Sequence, residues 1–406
     1  MSKANLSKGE LERYDRQIRL PSCGDQGQRR LKKAKIGVIG AGGLGCTAMT
    51  SLVSTGVGEL RIFDFDRVSL SNLHRQPLYR ESDIGEPKAF VAQKKLQSLN
   101  PYSKILAFDQ ALRRYETLEI CKGLDLILDC TDRFSARANI SSICTELSIP
   151  HCYASVSGRD GQLALFEPHT ACFRCLFPTL PTAGIIQSCD QGGVLGVTAQ
   201  MVAGMQAQIA IDYLLTPPRP LEEASRSEVE LRLISTLPLS VQSMKLSRSI
   251  KCEFCVSNTR LSANSRAQLE PYPMPISSHT LNQKVRGGWN PLIVDVREAI
   301  ELKEGRIQGS LHLPLSMLEE TIKDYQRTQV RPSSDTNPYL SVIEQILSEN
   351  EVLVYCARGP RAERAALALH QMINSEIKSK VTEEIEHKST VYELIGGYSG
   401  WSDQQK

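Results

Sequence analysis

With 406 residues, the chain has room for two or three domains of ordinary size. Its 41% apolar and 23% charged residues suit a globular protein, and a net charge of +3 gives no bulk attraction to nucleic acid or membrane. The 12 cysteines are too sparse for a disulfide scaffold, and the opening MSKANLSKGELERYDRQIRL lacks the apolar core of a secretory signal. The expectation is a soluble cytoplasmic protein that neither spans a membrane nor binds nucleic acid directly. Its cysteines are expected to be metal ligands or reactive thiols.

The predicted elements alternate between strand and helix. KIGVIG (35–40), ELRIFDFD (59–66), KILAFD (104–109) and LDLILDC (124–130) read as strands, and residues 88–99 repeat their apolar positions at helical spacing. Such alternation predicts an α/β fold with a mostly parallel sheet covered on both faces. The long apolar stretch 194–215 is interrupted by Gln200, Gln206, Gln208 and Asp212, which suits a buried helix rather than a span. TPPRPLEE (216–223) punctuates the chain, and a short β-like tail runs on to CEFC (252–255). The Ser-, Pro- and Asn-rich stretch 257–279 has no apolar period and reads as linker. A second alternation follows: PLIVDVRE (291–298), IQGSLHLPL (307–315), EVLVYCARG (351–359), a helix from about Arg361, and VYELIGG (391–397).

GAGGLG (40–45) lies between a strand and a helix, where glycines let backbone N–H groups approach phosphate at a helix amino terminus. Asp64 falls 24 residues after Gly40, at the end of the next strand, where an acid can bind ribose hydroxyls. A nicotinamide-dependent dehydrogenase would look the same this far. Beyond it, DFDRVSLSNLHRQ (64–76) carries two acids with Asn72 and Arg75, IGEPKA (84–89) offers Lys88, and Asp132 follows a strand end in LDCTDRFSARAN (128–139). Cations with a carboxylate for Mg²⁺ suit phosphate-cleaving chemistry rather than hydride transfer.

From RYDRQIRL (13–20) to CEFC the chain resembles the E1-like activating enzymes, which adenylate the carboxy-terminal Gly-Gly of ubiquitin-fold proteins. The resemblance implies ATP and Mg²⁺ as cofactors and a Rossmann-like adenylation domain. It assigns Gly43 to the nucleotide phosphates and Asp64 to the ribose. Ser71, Asn72, Leu73, His74 and Arg75 would line the phosphate side, with Lys88 on the phosphates. Asp132 would hold Mg²⁺, with Arg133 beside it where the family usually has Asn. Arg16 matches the arginine that reaches into the partner subunit's site, which implies a homodimer through this domain.

Cys172 and Cys175 form one CxxC pair, and Cys252 and Cys255 another, 77 residues on from Cys175. Four thiolates suit a tetrahedral Zn²⁺. Spacing alone leaves open whether the pairs meet, and one of them could be redox active. The resemblance implies that they close a zinc site. Cys189, in the glycine-rich TAGIIQSCDQGGVLGV (182–197), has no neighbouring base in sequence, and matches the family's thioester-type or persulfide-attacking cysteine. The remaining cysteines read as fillers.

Cys356 ends an apolar strand just before a helix, an arrangement that favours anionic sulfur, with Arg358 and Arg361 adding positive charge. CARGPR is one residue short of the Cys-x₅-Arg cradle of cysteine phosphatases. Together with VDVRE (294–298), GRIQGSLHLPL (305–315) and LIGGYSGW (394–401), it resembles the rhodanese family. Cys356 would be the persulfide carrier and Asp295 and Arg297 supports of its loop. The expected domains are an E1-like adenylyltransferase with its zinc site over 1–256, a linker over 257–280 and a smaller α/β rhodanese domain over 281–406.

The fused pair resembles the molybdopterin-synthase sulfurylases, which also activate the ubiquitin-related modifier. The implied chemistry is adenylation of a Gly-Gly carrier, either the molybdopterin-synthase small subunit or that modifier. A Cys persulfide, recharged by a donor such as a cysteine desulfurase, then converts it to a thiocarboxylate for molybdenum-cofactor synthesis and tRNA wobble-uridine thiolation. Two alternatives stand beside it: a nicotinamide-dependent oxidoreductase with a rhodanese-like appendage, and a non-catalytic interaction scaffold.

Overall fold

The computed structural model describes residues 5–110, 114–178, 193–216, 228–252, 255, 273–328, 337–380 and 390–402. The described residues form two compact units, one up to Cys255 and one from residue 273 onward.

The first unit is built on an eight-stranded sheet in the order β3-β2-β1-β4-β5-β6-β7-β8. Strands β1 (Lys35–Ile39), β2 (Glu59–Phe63), β3 (Lys104–Phe108), β4 (Leu126–Asp129) and β5 (His151–Ser157) run parallel. Strands β6 (Asp160–Phe166), β7 (Val229–Thr236) and β8 (Leu239–Leu246) continue it antiparallel. The parallel order reverses between β1 and β4, which opens a crevice beyond their carboxyl ends. Helices Gly43–Ser54 and Gly196–Leu215 share one core, Leu44, Ala48 and Leu52 from the first with Ala199, Val202 and Ala203 from the second. Small residues on the second helix let the two approach closely. The polar residue Gln206, in the middle of that helix, is fully buried because its amide donates to the Asp129 and Cys152 carbonyls, both at 2.9 Å. No helix among the described residues is long and apolar enough to cross a membrane.

The second unit holds a five-stranded parallel sheet in the order β11-β10-β12-β13-β9. Its strands are β9 (Met274–Ile276), β10 (Leu292–Asp295), β11 (Leu311–His312), β12 (Glu351–Tyr355) and β13 (Thr390–Leu394). The stretch read as linker therefore ends differently from expectation, since β9 pairs with β13 and Ser277 caps helix Ser278–Arg286. A three-residue edge strand containing Pro275 is too short to leave an apolar period, and an edge position tolerates the proline. Of IQGSLHLPL, only Leu311–His312 is strand.

Candidate functional site

The crevice of the first unit is lined by the turns that follow β1, β2 and β4. Gly40 adopts φ +95°, and a Cβ there would lie 2.8 Å from the Cys130 carbonyl oxygen, so the glycine turn packs directly on the turn after β4. Asp64, at the end of β2, accepts hydrogen bonds from the N–H of Ala41 at 2.7 Å and of Asp66 at 2.8 Å. It thus braces the glycine turn from within the protein. Burial pushes its carboxyl up to about 6, against the pull of Lys88.

Lys88 opens helix Lys88–Leu99 and is buried, its Nζ 3.0 Å from Asp66 Oδ2. Burial opposes the charge, but the carboxylates of Asp66 and Asp64 outweigh it and hold the ammonium pKa above its usual value. Asp66 was not singled out from sequence, although the DFD pattern contained the signal. Within SNLHR, Arg75 Nη2 donates to Asn72 Oδ1 at 2.8 Å, and Asn72 Nδ2 donates to Ser69 Oγ at 2.7 Å. His74 Nε2 lies 3.0 Å from Arg75 Nη1, Leu73 packs on the core, and Ser71 Oγ is 3.3 Å from Ser69 Oγ. A Cβ on Gly43 would lie 3.5 Å from the Arg75 carbonyl oxygen, and one on Gly196 would lie 2.4 Å from that of His74. The SNLHR turn is therefore seated against the starts of two helices, one of which sequence reading did not connect to it.

Asp132 is exposed in the turn after β4, and Arg133 is the residue just before helix Phe134–Leu147. An exposed carboxylate beside the glycine turn suits Mg²⁺, which takes one or two carboxylates and leaves its other positions to phosphate and water. Arg137, also missed from sequence, is buried with Nη2 donating to the Thr131 carbonyl at 2.9 Å. The side chain of Arg16 is 89% exposed and has Asp15 at 3.9 Å. Cys189 lies outside the described residues.

The two CxxC pairs meet. The Sγ atoms of Cys172, Cys175, Cys252 and Cys255 lie within 4.8 Å of one another, with Cys172–Cys252 at 3.7 Å and Cys175–Cys255 at 3.4 Å. A tetrahedron with Zn–S bonds of about 2.3 Å has edges of roughly 3.8 Å, so the donor set fits Zn²⁺. The β7–β8 hairpin returns the chain to the first pair, and Ser249 N–H points at Cys175 Sγ from 3.5 Å. Metal analysis is expected to find one Zn²⁺ per chain. Cys172→Ser or Cys255→Ser should release it and lower the melting temperature by about 5 °C or more. A metal-free, equally stable parent protein would overturn the assignment.

In the second unit, Cys356 follows β12 and is buried, and the Gly359 N–H donates to its Sγ at 3.0 Å at the start of helix Pro360–Lys380. Its carbonyl oxygen accepts from Tyr398 N–H at 2.7 Å, which ties the loop to the LIGGYSGW segment. Arg297 is fully buried, with Nη2 2.7 Å from both Asp295 Oδ2 and the Gly305 carbonyl. Tyr355 OH donates to the same Asp295 oxygen at 2.7 Å, which joins the ends of β10 and β12 just before Cys356. Arg361 has a partner that the sequence did not show. Its guanidinium makes a bidentate pair with Glu301 at 2.5 and 2.6 Å and holds that carboxyl down at about 2. The pair holds the loop beside Cys356, whose charge also acts on Arg361, and the other arginine of CARGPR, Arg358, is exposed.

Residues 14–254 match the ThiF family and residues 278–404 the rhodanese-like domain. The chain belongs to the ThiF family. A sulfur carrier protein adenylyltransferase of Thermus thermophilus is 40% identical over 61% of this chain and 92% of its own length. An Arabidopsis thaliana relative named adenylyltransferase and sulfurtransferase MOCS3 is 30% identical over 98% of this chain and 84% of its own. The E. coli MccB structure with MccA-N7isoASN shares the fold of the ThiF part, with a TM-score of 0.52 at 21% identity over 61% of this chain and 75% of that one. This ThiF-family chain is an enzyme that combines adenylyltransferase and sulfurtransferase units, and the oxidoreductase and scaffold alternatives are set aside.

Proposed function

We propose that the first unit adenylates the carboxy-terminal Gly-Gly of a ubiquitin-fold sulfur carrier and that the second unit supplies the sulfur. The observation that carries this reading is the presence, on one chain, of an acid- and lysine-lined turn crevice and of Cys356 facing the Gly359 N–H. The carrier carboxylate attacks the α-phosphate of ATP, forming the acyl-adenylate and releasing pyrophosphate. Lys88 and Arg75 offset the phosphate charge, and Asp132 would hold Mg²⁺, which supplies Lewis-acid neutralisation when bound. The terminal sulfur of a Cys356 persulfide then attacks the acyl carbon and AMP leaves. Cleavage of the resulting acyl disulfide by an external thiol releases the thiocarboxylate and leaves a mixed disulfide on Cys356, which a second thiol reduces; Cys189 is the proposed crossover-loop cysteine of this later step.

Gly43, Asp64, Ser71, Asn72, Leu73, His74 and Arg133 form the rest of the proposed nucleotide site, and Arg16 completes the site of a second copy in a homodimer. The division at 1–256, 257–280 and 281–406 is proposed with it. The proposed carriers are a molybdopterin-synthase small subunit and a ubiquitin-related modifier, recharged by a donor such as a cysteine desulfurase in the cytoplasm. Their products would serve molybdenum-cofactor synthesis and tRNA thiolation. Incubating the chain with MgATP, thiosulfate and each Gly-Gly carrier is expected to raise the carrier's intact mass by the replacement of one oxygen with sulfur. No mass change in any carrier, with an active Cys356, would overturn the reading.

A further inference from the structure

The turn that carries Asp132 is fixed by a buried carboxylate whose second oxygen faces a histidine from the neighbouring strand. Asp129 ends β4 and is fully buried. Its Oδ1 accepts from the N–H of Thr131 at 3.0 Å and from the Thr131 hydroxyl at 2.7 Å. Its Oδ2 lies 3.1 Å from His151 Nε2, on the first residue of β5, two rows along a ladder that pairs Ile127 with His151. A carboxylate oxygen accepts here, so Nε2 is assigned as the donor. Nδ1 is buried with no hydrogen-bond partner among the described residues, and the ring is held among Tyr153, Phe166 and Phe173 with centroids 5.6 to 6.4 Å away. A ring nitrogen left without a partner in aromatic surroundings is costly, and no packing need explains it, since an apolar side chain would suit these rings better. What the imidazole contributes is the one hydrogen bond to Oδ2.

We propose that His151 is a positioning residue for adenylation, which acts through Asp129 to orient the Thr131 turn and hence to present Asp132 to the divalent cation that accompanies ATP. The inference rests on the reading of Asp132 as the Mg²⁺ ligand. Groups that orient a metal-binding carboxylate commonly change metal affinity 10- to 100-fold when removed. The Gln206 amide on the Asp129 carbonyl and the Arg137 guanidinium on the Thr131 carbonyl hold the turn's backbone. Neither can replace a donor at Oδ2.

The test compares His151→Leu, His151→Gln and Thr131→Val in the full chain, with Asp132→Ala as reference. Pyrophosphate exchange is followed across Mg²⁺ concentrations, ATP binding is measured by calorimetry at the same concentrations, and the parental circular-dichroism spectrum and melting transition of the first unit report its folding. His151→Leu should need about 10-fold or more Mg²⁺ for half-maximal exchange and ATP binding, whereas His151→Gln, whose amide N–H replaces Nε2–H, should stay within about threefold of the parent. Thr131→Val removes only the hydroxyl bond to Oδ1, so it should shift the same dependence even if His151→Leu does not fold. Parental Mg²⁺ dependence in folded His151→Leu, or in Thr131→Val where His151→Leu fails to fold, overturns the proposal. If Asp132→Ala itself keeps parental Mg²⁺ dependence, the underlying metal reading fails instead, and the inference with it.

Discussion

Cys356→Ala is expected to abolish sulfur transfer, by on the order of 10³-fold or more, while leaving pyrophosphate exchange near the parental rate. The two readouts separate because Cys356 lies in a unit with its own core, built from residues such as Val294, Leu313, Val354 and Leu369. The Gly359 N–H and the amino terminus of helix Pro360–Lys380 meet any anionic sulfur that forms on Cys356. Alanine keeps the loop's supports, the Glu301–Arg361 pair and the Tyr398 N–H on the Cys356 carbonyl, and removes only the sulfur. The variant should therefore melt like the parent, accumulate acyl-adenylate or lose it to hydrolysis, and form no thiocarboxylate. Thiocarboxylate at the parental rate with thiosulfate as sole donor would refute the role of Cys356.

Strand–turn–helix placement was legible where local pattern sets it. The glycine turn after β1 and Cys356 between a strand and a helix are set by residues adjacent in the chain, so spacing alone located them. The four-cysteine cluster was only half legible: each CxxC pair is local, but their meeting depends on the β7–β8 hairpin, which pairs Val229 with Leu246 and returns the chain to Cys175. The partner of Arg361 was illegible for the same reason. Its guanidinium pairs with Glu301, 60 residues earlier, and a pairing of that kind leaves no local signature. Asp129 and His151 were passed over because buried polar pairs across adjacent strands follow no period, and the three residues of β9 were too few to show one.

In the first unit a large loss is expected from Lys88→Ala. The lysine is the buried counter-charge to two carboxylates, Asp64 and Asp66, and Asp66 is 43% exposed while Lys88 is 4% exposed. In the proposed nucleotide site the phosphates of ATP would compete with Asp66 for Nζ, and Asp66 has solvent to turn into. Alanine at this position removes a cation from the phosphate site and leaves both acids without their ammonium partner, so the ground state is repelled as well as the transition state. Pyrophosphate exchange with a Gly-Gly carrier should fall on the order of 10²-fold or more. Asp132→Ala should fall by a comparable factor, but by a different route: added Mg²⁺ should recover part of its activity and none of that lost in Lys88→Ala. Asp66→Asn provides the decisive contrast, because it frees Lys88 for phosphate without removing the cation. It should retain far more exchange than Lys88→Ala, and if the two variants were equally impaired, Lys88 would be acting only as the structural partner of Asp66.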